Sequence, residues 1–109
     1  MNVTVERDDN IKIVAIEGRL DVAGSDQARD AIINLIDNKP MIVNMEKCDY
    51  VSSSGLRALI VIAKTAKSKG TKVIYAAAID EVIDVLEMTG FLHMLNCVST
   101  IAEAEKELA

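Results

Sequence analysis

Tyr50-Val51-Ser52-Ser53-Ser54-Gly55-Leu56-Arg57 joins a strand-like apolar run to a helix-like one, and the turn it makes decides the fold. Upstream, Met41-Ile42-Val43-Asn44-Met45 is short, mostly apolar and bounded by turn residues, as a central strand buried on both faces is. Downstream, the spacing predicts a helix from about Ser53 to Ser68, closed by Gly70. In open α/β sheets, functional groups collect where strands deliver their carboxyl ends to the loops that start helices.

Working outward, Val3 to Glu6 and Ile11 to Glu17 are β-rich runs around Asp8-Asp9-Asn10, which predicts an antiparallel hairpin ending at Gly18. A loop through Arg19 and Asp21 leads to a cap at Ser25. Ala28, Ala31, Ile32, Leu35 and Ile36 then recur at helical spacing, and Pro40 stops that helix near Asn38. Beyond Gly70 come a buried strand over Lys72 to Ala76, a helix over Asp80 to Met88 ended by Gly90, and a weak edge strand within Met94 to Val98. The pattern Thr100-Ile101-Ala102-Glu103 forms a capping box opening a last helix. The expected fold is α/β: one domain over residues 1–109, a mixed sheet with an N-terminal antiparallel hairpin and parallel strands, packed with about four helices.

Composition narrows the function. At 109 residues the chain is long enough to bury roughly two-thirds of its unfolded surface around one core. Half the residues are apolar, yet there is one Phe, two Tyr and no Trp, so aliphatic side chains fill the interior. The net charge of −5 argues against nucleic-acid binding, which relies on Lys and Arg neutralising phosphates. No apolar run approaches the ~20 residues of a membrane span and no signal peptide precedes the first strand, so a soluble cytoplasmic protein is expected. Cys48 and Cys97 lack metal-ligand spacing and His93 is the only histidine; neither a metal site nor a cofactor is expected.

Ser52, Ser53 and Ser54 are each credible N-caps, but capping accounts for one serine. Gly55 inside the first helical turn costs about 0.8–1 kcal/mol relative to Ala, a sign that another backbone approaches closely. A hydroxyl at a helix start suits phosphorylation, because that end favours negative charge. On a helical wheel Leu56, Leu59, Ala63 and Ala66 form the core stripe. Arg57, Val61, Lys64, Thr65 and Ser68 lie opposite, with Ile60 at the border. Arg57, Ile60 and Val61 thus make a candidate docking face beside the serines.

Asp49-Tyr50-Val51-Ser52-Ser53-Ser54-Gly55-Leu56-Arg57-Ala58-Leu59 resembles the signature of STAS domains, named for sulfate transporters and anti-sigma factor antagonists. The Gly18-Arg19-Leu20-Asp21 turn, the Ile42-Val43-Asn44-Met45 strand, the Asp80-Glu81-Val82 helix start and the Thr89-Gly90-Phe91 turn fall in the family's order. The resemblance implies an anti-sigma factor antagonist whose unmodified form binds a serine-kinase anti-sigma factor and frees sigma. Phosphorylation breaks that complex and a PP2C-type phosphatase resets it. The acceptor, two residues before the motif glycine, maps onto Ser53. The resemblance also suggests that Asp21 faces the kinase near the switch, though it reads equally as an ordinary turn Asp; with the wheel's Arg57, Ile60 and Val61, the expected partner-binding residues are Asp21, Ser52, Ser54, Gly55, Leu56, Arg57, Ile60 and Val61. Many switchable members carry Asp where this chain has Ser52, and an acid where it has Asn44, so Ser52 and Ser54 stand as rival acceptors.

Two other readings compete. An exposed serine at a strand-to-helix turn superficially suits a hydrolase, but the Gly-x-Ser-x-Gly elbow is missing and His93 sits in an apolar stretch, so no catalytic residue is assigned. The other alternative is a non-switching STAS scaffold or a transporter-associated subunit.

Overall fold

The computed structural model describes residues 1–109. Its strands are β1 (Asn2–Asp8), β2 (Lys12–Leu20), β3 (Met41–Asn44), β4 (Cys48–Val51), β5 (Val73–Ala76) and β6 (Cys97–Val98). Its helices are α1 (Val22–Leu35), α2 (Ser53–Ser68), α3 (Asp80–Met88) and α4 (Ile101–Leu108), with one 3-10 turn over Phe91–His93. The sheet runs β1-β2-β3-β5-β6, and β4 also pairs with β2. Only β1–β2 is antiparallel; β2–β3, β2–β4, β3–β5 and β5–β6 are parallel. The expected α/β sheet, its hairpin and its four helices are all present.

Period-two alternation sorts the interior into two layers. Val14, Ile16, Met41, Val43, Val73 and Tyr75 face α1, α2 and α3, where Ile32, Leu59, Ile62 and Leu86 complete the larger core. Their strand neighbours Ile13, Ile42 and Ile74 point the other way, onto Ala104 of α4. The buried Tyr75 hydroxyl donates to the Leu59 carbonyl at 2.6 Å, tying β5 to the middle of α2.

Four expectations need correction. The second strand does not stop at Gly18 but continues to Leu20, because a further strand lies beside it. That strand, β4, was not anticipated: Lys12–Ala15 pair with β3, and Gly18–Leu20 pair with β4, with a register shift between Gly18 and Arg19. The first helix starts at Val22 and ends at Leu35, with Asp21 rather than Ser25 as its cap. Ser25 is buried and its hydroxyl donates back to the Asp21 carbonyl. His93, expected in an apolar setting, is exposed in the 3-10 turn.

Lys12 shows how the far end of the fold is held. Almost fully buried, it sends its ammonium to the Leu35 carbonyl at 2.8 Å and to Asp37 at 2.9 Å, satisfying the C-terminal end of α1. Lys12→Met keeps the stem but removes both charge-assisted bonds, and should cost about 1–3 kcal/mol in urea unfolding. The Lys12 hydrogen bond, and then the Lys39 amide, hold Asp37 below its ordinary 3.8. Ionised Asp37 therefore stabilises the fold above pH 3.8, and that contribution is lost as pH falls towards and through the lowered value. In Lys12→Met this part of the acid sensitivity should shrink.

Candidate functional site

The site grows from the carboxyl ends of the parallel pair β2 and β4. Leu20 stands opposite Val51 in register, so the next residues, Asp21 and Ser52, become neighbouring N-caps. Two helix starts thus emerge side by side and point the same way. Asp21 accepts the Gly24 N–H at 2.8 Å and stays exposed.

Ser52 is the fastener. Its backbone is extended, its N–H and its hydroxyl both donate to the Leu20 carbonyl, at 2.9 and 2.7 Å, and its oxygen accepts the Gly55 N–H at 3.1 Å. An ionised Asp here would still cap the helix but has no proton for Leu20. Ser52→Ala loses the cap while Leu20 keeps the backbone bond, so the expected cost is about 1–2 kcal/mol, seen as a lower urea midpoint.

Gly55 explains itself by proximity. A Cβ built there would lie 2.8 Å from the Leu20 oxygen, 2.9 Å from Leu20 Cβ and 2.9 Å from Val51 Cγ1. Gly24 does the same for α1, where a Cβ would lie 2.2 Å from the Arg19 oxygen. Both helices are therefore seated on the last two carbonyls of β2.

Ser53 is the first helical residue, exposed and without a hydrogen bond from its hydroxyl. Ser54 is half-buried in a shallow groove of about 260 Å³ between α1 and α2, with Asp26, Arg29, Arg57, Ala58 and Val61 around it. Arg57 and Val61 are exposed and Ile60 is half-buried against the core, as the wheel placed them. Gly55 and Leu56, however, are buried and do not reach the surface that the sequence reading gave them. Ala58 and Ile62 are buried too, because α1 covers the flank of α2 in addition to the sheet beneath it.

Two exposed side chains near these helix starts escaped the sequence reading. Arg19 stacks its guanidinium 4.2 Å above the centre of the Tyr50 ring, across the β2–β4 register, and Val22 is 68% exposed at the first position of α1. Their proximity depends on β4, whose signal was too short to find. Asn44, where an acid is frequent, donates to Glu6 at 3.0 Å and accepts the Glu46 N–H at 3.0 Å. No group of three or more His, Cys, Asp or Glu side chains is placed to hold a metal, and burial pushes the Cys97 thiol up to about 11.

A sequence model of the STAS domain matches residues 2–104. The chain belongs to the STAS-domain family. A Bordetella bronchiseptica protein named as an anti-sigma factor antagonist, BtrV, is 24% identical over 96 residues, covering 86% of this chain and 83% of BtrV. The fold matches a Thermotoga maritima protein described in the same terms, TM1081, with a TM-score of 0.85 at 19% identity over 97% of this chain and 93% of that one. It also matches Bacillus SpoIIAA in its phosphorylated form, with a TM-score of 0.69 at 18% identity over 99% and 100% of the two chains. This STAS domain is thus a distant homologue of a protein named as an anti-sigma factor antagonist. No helix in it is long and apolar enough to cross a membrane.

Proposed function

We propose that this STAS domain is an anti-sigma factor antagonist working by partner switching in the cytoplasm. Unmodified, it binds a serine-kinase anti-sigma factor and releases sigma. Phosphorylated on Ser53, it lets go. The observation that carries the reading is the division of labour among the serines. Ser52 spends its hydroxyl on Leu20 and Gly55, Ser54 is half-buried, and Ser53 offers a free, exposed oxygen.

In the switching step the Ser53 oxygen bonds to the γ-phosphorus of ATP as the bond to ADP breaks, and the hydroxyl proton passes to a base on the kinase. A PP2C-type phosphatase hydrolyses the ester back to serine and inorganic phosphate. The added charge, about −1.5 to −2, falls at a helix start that favours anions, so the fold stays intact. Asp21, Arg57, Ile60 and Val61 form the surrounding docking face, with Ser52, Gly55 and Leu56 holding it in shape from beneath.

The test is incubation with a candidate serine kinase and ATP, followed by mass analysis. One phosphate is expected on the wild type and none on Ser53→Ala, which should stay constitutively bound to the kinase. Phosphate uptake by Ser53→Ala would move the acceptor to Ser52 or Ser54. Failure of the wild type both to take phosphate and to bind would favour the non-switching scaffold.

A further inference from the structure

Of the four arginines in the chain, three are engaged. Arg7 bridges Asp9 and Glu105 at 3.2 and 2.8 Å, Arg29 pairs with Asp26 and Asp30 at 3.2 and 3.1 Å, and Arg19 covers Tyr50. Arg57 has no ion pair, no side-chain hydrogen bond and no aromatic partner, although it is exposed in a chain with 17 acidic and 12 basic residues. The carboxylate that shares its groove, Asp26, is already taken by Arg29.

Its position supplies a reason. Ser53 and Arg57 are four residues apart on the exposed side of α2, a spacing that sets their Cβ atoms about 5–6 Å apart. A neutral hydroxyl gives a guanidinium nothing to pair with, whereas a phosphate monoester one turn away matches its fork of donors. We propose that Arg57 is the intramolecular receiver of the phosphoryl group on Ser53, so that modification both adds an anion and withdraws the unpaired cation of the docking face. This rests on Ser53 being the acceptor and deepens that reading. The unmodified protein offers Arg57 to an acidic group of the partner; the modified protein turns it inward. Arg29 is the poorer receiver, because it would first have to give up Asp26 and Asp30.

The ion pair is tested without the partner, and a kinase-binding measurement beside it keeps the switch separate. Phosphoserine is installed at position 53 during translation, and its second ionisation is followed by phosphorus NMR in the wild type, Arg57→Gln and Arg57→Lys. A free phosphoserine ionises near pH ~6. The wild-type value should lie lower, Arg57→Gln should raise it by about 0.2–0.4 unit, and Arg57→Lys should keep part of the lowering. Equal values in the wild type and Arg57→Gln would overturn the proposal. Loss of kinase binding on phosphorylation with equal values would remove this ion pair and leave the Ser53 switch standing. Unchanged kinase binding would remove the switch itself.

Discussion

Phosphoserine at position 53 is expected to weaken binding of the serine-kinase partner by roughly a hundredfold or more while leaving the unfolding midpoint nearly unchanged. The two halves have separate causes. In a closed interface the phosphate loses its hydration or, by drawing Arg57 inward, leaves an acidic group of the partner unpaired; a charge stranded there costs about 2–5 kcal/mol, and every ~1.4 kcal/mol is a factor of ten in affinity. In the free protein the same oxygen faces water at the first position of α2, so the phosphate keeps its hydration and gains from the helix end. Ser53→Asp should fold equally well and bind weakly, though more tightly than the phosphorylated form because it carries one charge. Isothermal titration against the kinase, with a thermal melt of each form, measures both halves. A phosphorylated protein that binds poorly because it has melted would contradict this account as surely as one that binds well.

The largest effect on stability is expected at Gly24. In Gly24→Ala the new methyl would sit 2.2 Å from the Arg19 oxygen and 3.1 Å from Asp21 Oδ1. The first of these is backbone, at the end of the strand on which both helices are seated, and it has no rotamer to change. Relief requires α1 to move away from β2, with overpacking costs of about 1–3 kcal/mol or more, set against ~1 kcal/mol gained from better helix propensity. A 2.2 Å approach to rigid backbone belongs at the upper end of that range, so the net loss is about 2 kcal/mol or more and the midpoint falls by roughly 8–16 °C in a domain of this size. A melt within a degree or two of the wild type would show that the end of β2 is softer than its packing indicates.

The fate of Gly24 also shows where sequence reasoning reached its limit. Helices α2 and α3 were legible to the residue, because their ends carry local signals: the serines and Gly70 for one, Asp80 and Gly90 for the other. The start of α1 was misread. Gly24 looks like a loop residue by propensity, and only the close approach of Arg19, a tertiary fact, explains a glycine inside the first turn. Strand β4 was missed for a similar reason. Cys48-Asp49-Tyr50-Val51 is four residues long with two of them exposed, and its backbone bonds go to the far end of β2, which nothing local announces.

At the site, the wheel identified Arg57 and Val61 as outward-facing because α2 has a well-defined polar side. It did not find Ala58 and Ile62 buried, since the cover from α1 is set by packing between helices distant in sequence. The serine motif gave three candidates and no ranking among them by chemistry alone. Separating them required the Leu20 carbonyl, which reaches Ser52 only after the sheet has formed.

The central claim is that one ester bond at Ser53 governs a complex without altering the domain that carries it. The most direct measurement is kinase affinity on a single preparation taken through a full cycle: unmodified, phosphorylated, and then treated with a PP2C-type phosphatase. Affinity should fall by about two orders of magnitude on modification and return to its starting value once the phosphate is removed. An affinity that stays level through the cycle, or one that falls and does not recover when the ester is cleaved, would contradict it.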